Sequence, residues 1–82
     1  MFRTSKYSSM RGKSYLSGQF VPVEKYHCHH IKPLSKGGDN NFLNLCVLSE
    51  EEHRILHSKD PQRLYQMYPN RTGRVKFLIG NL

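Results

Sequence analysis

The chain has no tryptophan, only two cysteines and only six acidic residues among its 82. Cys28 and Cys46 supply at most one disulfide, which excludes the bridged frameworks of small secreted domains. No apolar run approaches the ~18–20 residues of a membrane span. The first residues, Met1-Phe2-Arg3-Thr4-Ser5-Lys6, also lack the apolar stretch of a signal peptide. These absences lead to the expectation of a soluble, cytoplasmic protein of a reducing compartment, with no membrane partner and no evident need of a protein partner. The shortage of acid leaves 13 Lys and Arg uncompensated enough for a net charge of +7. That balance favours polyanionic partners, DNA or RNA before membrane.

A chain of this length forms one small domain with a modest core, so a bound metal is a natural source of added stability. The candidate donors are conspicuous, because all five histidines fall between positions 27 and 57. His27-Cys28-His29-His30 forms one group, and His53 and His57 form the other.

Residues 1–13 carry Arg3, Lys6, Arg11 and Lys13 with no acidic residue and no periodic apolar face, and are expected to be a flexible basic arm. Residues 14–82 are expected to form the single domain. Ser14-Tyr15-Leu16 and Gln19-Phe20-Val21-Pro22-Val23, joined through Ser17-Gly18, suggest a short hairpin with Pro22 on an edge. A strand is expected over Tyr26–Ile31, ended by Lys32-Pro33. Ser35-Lys36-Gly37-Gly38-Asp39-Asn40-Asn41 has loop composition. Leu45-Cys46-Val47-Leu48 suits a second buried strand.

Ser49-Glu50-Glu51-Glu52 has the capping-box pattern of a helix start, and this accounts for the three glutamates without a catalytic role. That helix carries His53, Ile55, Leu56 and His57. A second helix is expected from Pro61, and residues 69–82 suggest a short third helix or a strand.

On a helix, His53 and His57 share a face about 6 Å apart in rise and can close on one ion. The upstream cluster lies on a strand, where His27 and His29 point one way and Cys28 and His30 the other. Adjacent His29 and His30 can therefore serve one site only if the strand breaks there, and Lys32-Pro33 is the expected cause of a break. One ligand and one non-ligand base are expected from this pair. His27 is expected to be a packing or nucleic-acid-facing residue, and the aromatic residues to be mostly core.

The string His29-His30-Ile31-Lys32-Pro33-Leu34-Ser35-Lys36-Gly37-Gly38, followed by Asn44-Leu45, His53 and His57, resembles the HNH endonuclease motif of the ββα-metal nucleases. The motif core spans residues 26–57. With Pro22-Val23-Glu24 ahead of it, the string is most similar to the C-terminal endonuclease domain of group II intron-encoded proteins. Those proteins also carry reverse transcriptase and maturase regions, which this sequence lacks.

The resemblance implies an α+β fold: a small ββα-metal core with an N-terminal hairpin and one or two C-terminal helices. It implies His30 as the general base, His29, His53 and His57 as metal ligands, and Asn44 as the residue bracing the loop. It implies DNA as substrate, with second-strand cleavage in intron mobility as the role. Intron RNA would then be contacted through domains absent here. Many relatives hold a further zinc between two Cys-x-x-Cys pairs. The second pair would fall at Ser49 and Glu52, so that zinc is not expected, and Cys28 and Cys46 are expected to be small buried residues.

The chemistry of the residues agrees with this reading. Three imidazoles leave open positions on an ion, and neutral nitrogen donors favour Zn²⁺, Ni²⁺, Co²⁺ or Mn²⁺ in affinity, with Mg²⁺ or Mn²⁺ still able to act. Lys32, Lys36, Arg54 and Lys59, nearest the motif, are candidates for phosphate contacts. Two rival readings are a stand-alone phage, restriction or homing HNH nuclease, and a non-catalytic zinc-stabilised nucleic-acid-binding module.

Overall fold

A computed structural model describes residues 2–82, with side chains from Ser5 onward. The chain is a small α+β arrangement with helix α1 (Phe2–Ser9), strands β1 (Tyr26–His30) and β2 (Leu45–Ser49), and helices α2 (Glu50–Leu56), α3 (Arg63–Met67) and α4 (Thr72–Gly80). Short 3₁₀ turns occupy Leu34–Lys36, Phe42–Asn44 and Pro69–Arg71.

The two strands pair antiparallel in a register running from Tyr26 opposite Ser49 to His30 opposite Leu45. Side chains alternate across a strand, and directly opposed residues share a face. His27 and His29 therefore share one face with their partners Leu48 and Cys46. On that face Cys46 and Leu48 pack with Leu16, Ile55, Leu56, Leu64, Val75 and Leu78, the main core between the sheet and helices α2 to α4. The opposite face buries Tyr26 and Val47 with Val21, and Tyr7, Met10 and Cys28 pack against them. With both faces covered, β2 is apolar almost throughout: Leu45, Cys46, Val47 and Leu48 are all buried.

The N-terminal segment, expected to be a flexible basic arm, is helical and lies against the sheet. It forms α1 over Phe2–Ser9. Tyr7 lies 4.4 Å from Tyr26, ring to ring, and its hydroxyl donates to the Val21 carbonyl at 2.6 Å. Tyr7 and Met10 are three apart and so share a helical face. Two apolar side chains make too short a period to stand out in a basic, serine-rich sequence.

The expected hairpin is reduced to one bridge, Lys13 with Phe20. Ser14 is the cause. Its hydroxyl oxygen accepts from the Leu16 and Ser17 amides and winds residues 15–17 into a turn. Gly18, at φ 71°, then reverses the chain. The strand expected over Tyr26–Ile31 ends one residue earlier, although the Ile31 amide still donates to the Asn44 carbonyl at 2.8 Å. The helix expected from Pro61 starts at Arg63, and the open alternative for residues 69–82 resolves as helix α4.

The capping box is formed in full. The Glu52 amide donates to Ser49 Oγ at 3.1 Å, and the Ser49 amide donates to Glu52 Oε1 at 2.8 Å. Glu52 is only 2 % exposed and does more than cap. It also accepts from the Ser14 hydroxyl at 2.6 Å and the Tyr68 hydroxyl at 2.5 Å. One carboxyl group thus joins the N-terminal loop, the start of α2 and the end of α3. Glu52→Ala removes an acceptor from three donors and should lower unfolding stability by about 3 kcal/mol, read from urea denaturation midpoints. Glu51→Ala, on the exposed side of the same turn, should cost less than about 0.5 kcal/mol.

Candidate metal centre

β1 ends against α2, and this junction gathers three histidines. His29 enters from the strand face that packs on α2, His53 lies within α2, and His57 is its C-terminal cap residue. Their candidate ligand atoms all lie within 4.8 Å of one another. The ring centroids are separated by 5.5 Å (His29–His53), 5.3 Å (His29–His57) and 4.6 Å (His53–His57). The rings are inclined to one another by 59–68° rather than stacked, which suits nitrogens converging on a common point.

The electrostatics agree with the geometry. His29 is 3 % exposed, and its Nε2 atom has no hydrogen-bond partner. An orphaned buried polar atom costs about 1–3 kcal/mol, and a bound cation would relieve that cost. Burial, followed by the neighbouring His53, His57 and His30, lowers the His29 pKa from 6.5 to about 4. Burial, followed by His57 and His27, does the same for His53, again to about 4. Both rings are therefore neutral at physiological pH, the form in which imidazole binds a metal. The three residues fit a divalent ion with nitrogen affinity and leave coordination positions open.

His30 occupies the last position of β1, and the strand continues regularly through it. The break expected between His29 and His30 thus comes after the pair, and alternation alone turns His30 away from the three-histidine group. Because the strand ends there, both residues still border one open cleft of about 340 Å³, lined also by Cys28, Pro33, Leu34, His53 and His57. His30 Nε2 lies 2.7 Å from Asn40 Oδ1.

Asn44 closes the loop between the strands. Its Oδ1 accepts from the Lys32 amide at 2.9 Å, and its Nδ2 donates to the carbonyls of Lys32 at 3.1 Å and Asp39 at 2.8 Å. Gly38 is required at this crossing, since an added Cβ would meet the Lys32 carbonyl oxygen at 1.8 Å.

The remaining candidates are dispersed. Lys32 lines a shallow pocket in the loop with Gly37, Gly38, Asp39, Asn41, Leu43 and Asn44. Lys36 donates through Nζ to the Leu82 carbonyl. Arg54 lines a separate pocket beside Phe20, Val21, Pro22 and Lys25, and Lys59 is exposed beyond α2. Cys28 and Cys46 form no disulfide, and burial pushes the Cys46 thiol up to about 12. His27 is outside the ligand group but stacks on His53, with centroids 4.8 Å apart and planes 8° from parallel.

Three contacts lie outside the expectations from sequence. They are the His27 stack, the Asn40 contact to His30, and Lys6 over the Phe42 ring at 4.4 Å, which ties α1 to the loop. His27 carried a usable signal, since it sits two residues before His29 on the same strand face. Asn40 had only loop composition around it. No family model, curated protein or solved structure matches the chain.

His53→Ala should weaken Ni²⁺ or Zn²⁺ binding, measured calorimetrically, by more than the roughly 10–100-fold that removal of an outer-sphere partner costs. His27→Ala should stay within that outer-sphere range. A pH dependence follows from the two lowered pKa values. Between about 6.5 and 4 the unfolded chain takes up protons at His29 and His53 while the folded metal-free chain does not. Stability is therefore full above 6.5 and falls as the pH drops towards 4, by on the order of 2 kcal/mol after allowance for partial exposure of His53. Urea denaturation of the metal-free protein across that range reads the loss, and His29→Gln should flatten it.

Proposed function

We propose that this chain is a metal-dependent HNH endonuclease domain that cuts or nicks DNA. The observation that carries the reading is the division of labour at the end of β1. His29, His53 and His57 gather their nitrogens, while His30 borders the same cleft outside that group. The succession β1–β2–α2, with candidate ligands on β1 and at α2 and its cap and a long loop between the strands, supports a ββα-metal reading.

His29, His53 and His57 would hold one divalent ion. When bound, that ion would supply positive charge near the phosphate and the leaving oxygen. His30 supplies a ring nitrogen that can take the proton of an attacking water, a role worth on the order of 10²–10⁴ in rate. Asn44 fixes the backbone on either side of the loop, at Lys32 and Asp39, and so supports the strand end that carries His30. The net charge of +7 provides long-range attraction for a polyanion. Lys32, Arg54 and Lys59 supply exposed cations for phosphate contacts of little sequence preference. The resemblance over residues 22–57 further suggests second-strand cleavage in group II intron mobility. An upstream reverse transcriptase reading frame in the same gene would support that placement.

The chain should nick supercoiled plasmid in the presence of Mg²⁺, Mn²⁺, Ni²⁺ or Zn²⁺. His30→Ala should reduce the rate by on the order of 10²–10⁴ with metal and DNA binding retained. Loss of metal on that substitution, or no nicking by the wild type with any of the four ions, would instead favour a closed zinc site in a non-catalytic binding module. In that module a fourth donor from the cleft, Cys28 or His30, completes the coordination.

A further inference from the structure

We propose that Asn40 is a positioning residue for His30: its side-chain carbonyl holds the imidazole as the Nε2–H tautomer and leaves Nδ1 as the nitrogen that accepts a proton. The inference rests on the reading of His30 as general base.

The contact is short, with His30 Nε2 and Asn40 Oδ1 2.7 Å apart. An amide oxygen only accepts, so the hydrogen lies on Nε2 and the lone pair of the neutral ring is on Nδ1. The opposite amide orientation would set an N–H donor against Nε2 and move the ring hydrogen to Nδ1, which removes the free base. It would also fail once the ring is protonated, because imidazolium has an N–H on both nitrogens and an amide N–H would then face another N–H. With Oδ1 in place, the hydrogen bond persists on both sides of the proton transfer, and the ring need not turn during the step. This is the economy of a preorganised site.

Asn40 is exposed, yet its neighbours are fixed on both sides. The Asp39 carbonyl accepts from Asn44 Nδ2 at 2.8 Å. Asp39 Oδ1 accepts from the Asn41 amide at 3.0 Å, and Asn41 Oδ1 accepts from the Leu43 amide at 2.9 Å. The loop is thus a chain of small hydrogen-bonded turns in which Asn40 has a set position. Asn44 acts on His30 from two directions: through the Ile31 and Lys32 backbone that follows the strand, and through Asp39 beside Asn40. Asn40 is uncharged, so it selects the tautomer without adding a carboxylate to a site that must receive phosphate.

The test uses the zinc-loaded full chain labelled with ¹⁵N at histidine, and compares wild type with Asn40→Ala and Asn40→Asp. In long-range ¹H–¹⁵N spectra, wild-type His30 should show one Nε2–H tautomer. Asn40→Ala should show a mixture, and Asn40→Asp, which keeps an acceptor oxygen, should restore the single form. In the nicking assay Asn40→Ala should lower kcat by about 10- to 100-fold, a part of what a general base contributes. KM for DNA and zinc affinity should be unchanged, and Asn40→Asp should recover most of the rate. An unaltered His30 tautomer in Asn40→Ala overturns the proposal, as does a rate loss that appears in KM or that Asn40→Asp fails to rescue. The spectra read the hold on the ring whether or not DNA is cut, so failure of the wild type to nick overturns the base reading alone.

Discussion

The buried carboxyl group of Glu52 is the constraint on which the rest of the structure depends. It lies immediately before His53, and its two oxygens accept from the Ser49 amide, the Ser14 hydroxyl and the Tyr68 hydroxyl. Those bonds fix where α2 starts and how it is rotated about its axis. Rotation matters because His53 and His57 reach His29 only if one face of α2 is turned to the strand. A helix of seven residues has little stability of its own. Its direction is imposed by the cap, by Ile55 and Leu56 in the core, and by α3 packed behind it.

The site has an internal tension that accounts for its chemistry. Folding buries the His29 ring and leaves its Nε2 without a partner, and it sets two further imidazoles beside it. A hydrogen-bonding residue or an apolar one at that position would relieve the cost. Here the same burial that penalises the protonated rings keeps His29 and His53 neutral and ready to donate to an ion. The loop across the cleft does the opposite. It holds His30 in a hydrogen bond at the surface, off the cluster but beside it. Neighbouring residues in sequence are thus assigned different surroundings by the two-residue alternation of a strand.

At the end of β1 the structure differs from the expectation in where the strand breaks. The adjacency of His29 and His30 in a shared site suggests a disrupted strand, since two neighbours on a regular strand face opposite ways. The strand is regular, and the cleft instead wraps around its end, so opposite-facing neighbours both border it. His27, expected outside the ligand group, stacks on His53, and that stack depends on how closely α2 approaches β1. No spacing in the sequence carries that distance.

The sequence by itself determined the α+β composition, the apolar strand Leu45–Leu48, the capping box at Ser49 and Glu52, and the pairing of His53 with His57. Each of these is a local pattern whose physical cause acts within a few residues. Only the tertiary structure decided that residues 2–9 form a helix against the sheet, that Ser14 and Tyr68 meet Glu52, and that Asn40 faces His30. These contacts join parts of the chain whose local sequence is indifferent: a serine-rich basic segment, an isolated serine, and a polar loop. Such residues acquire a role only when the register of β1 on β2 and the packing of α2 on the sheet fix what lies opposite them.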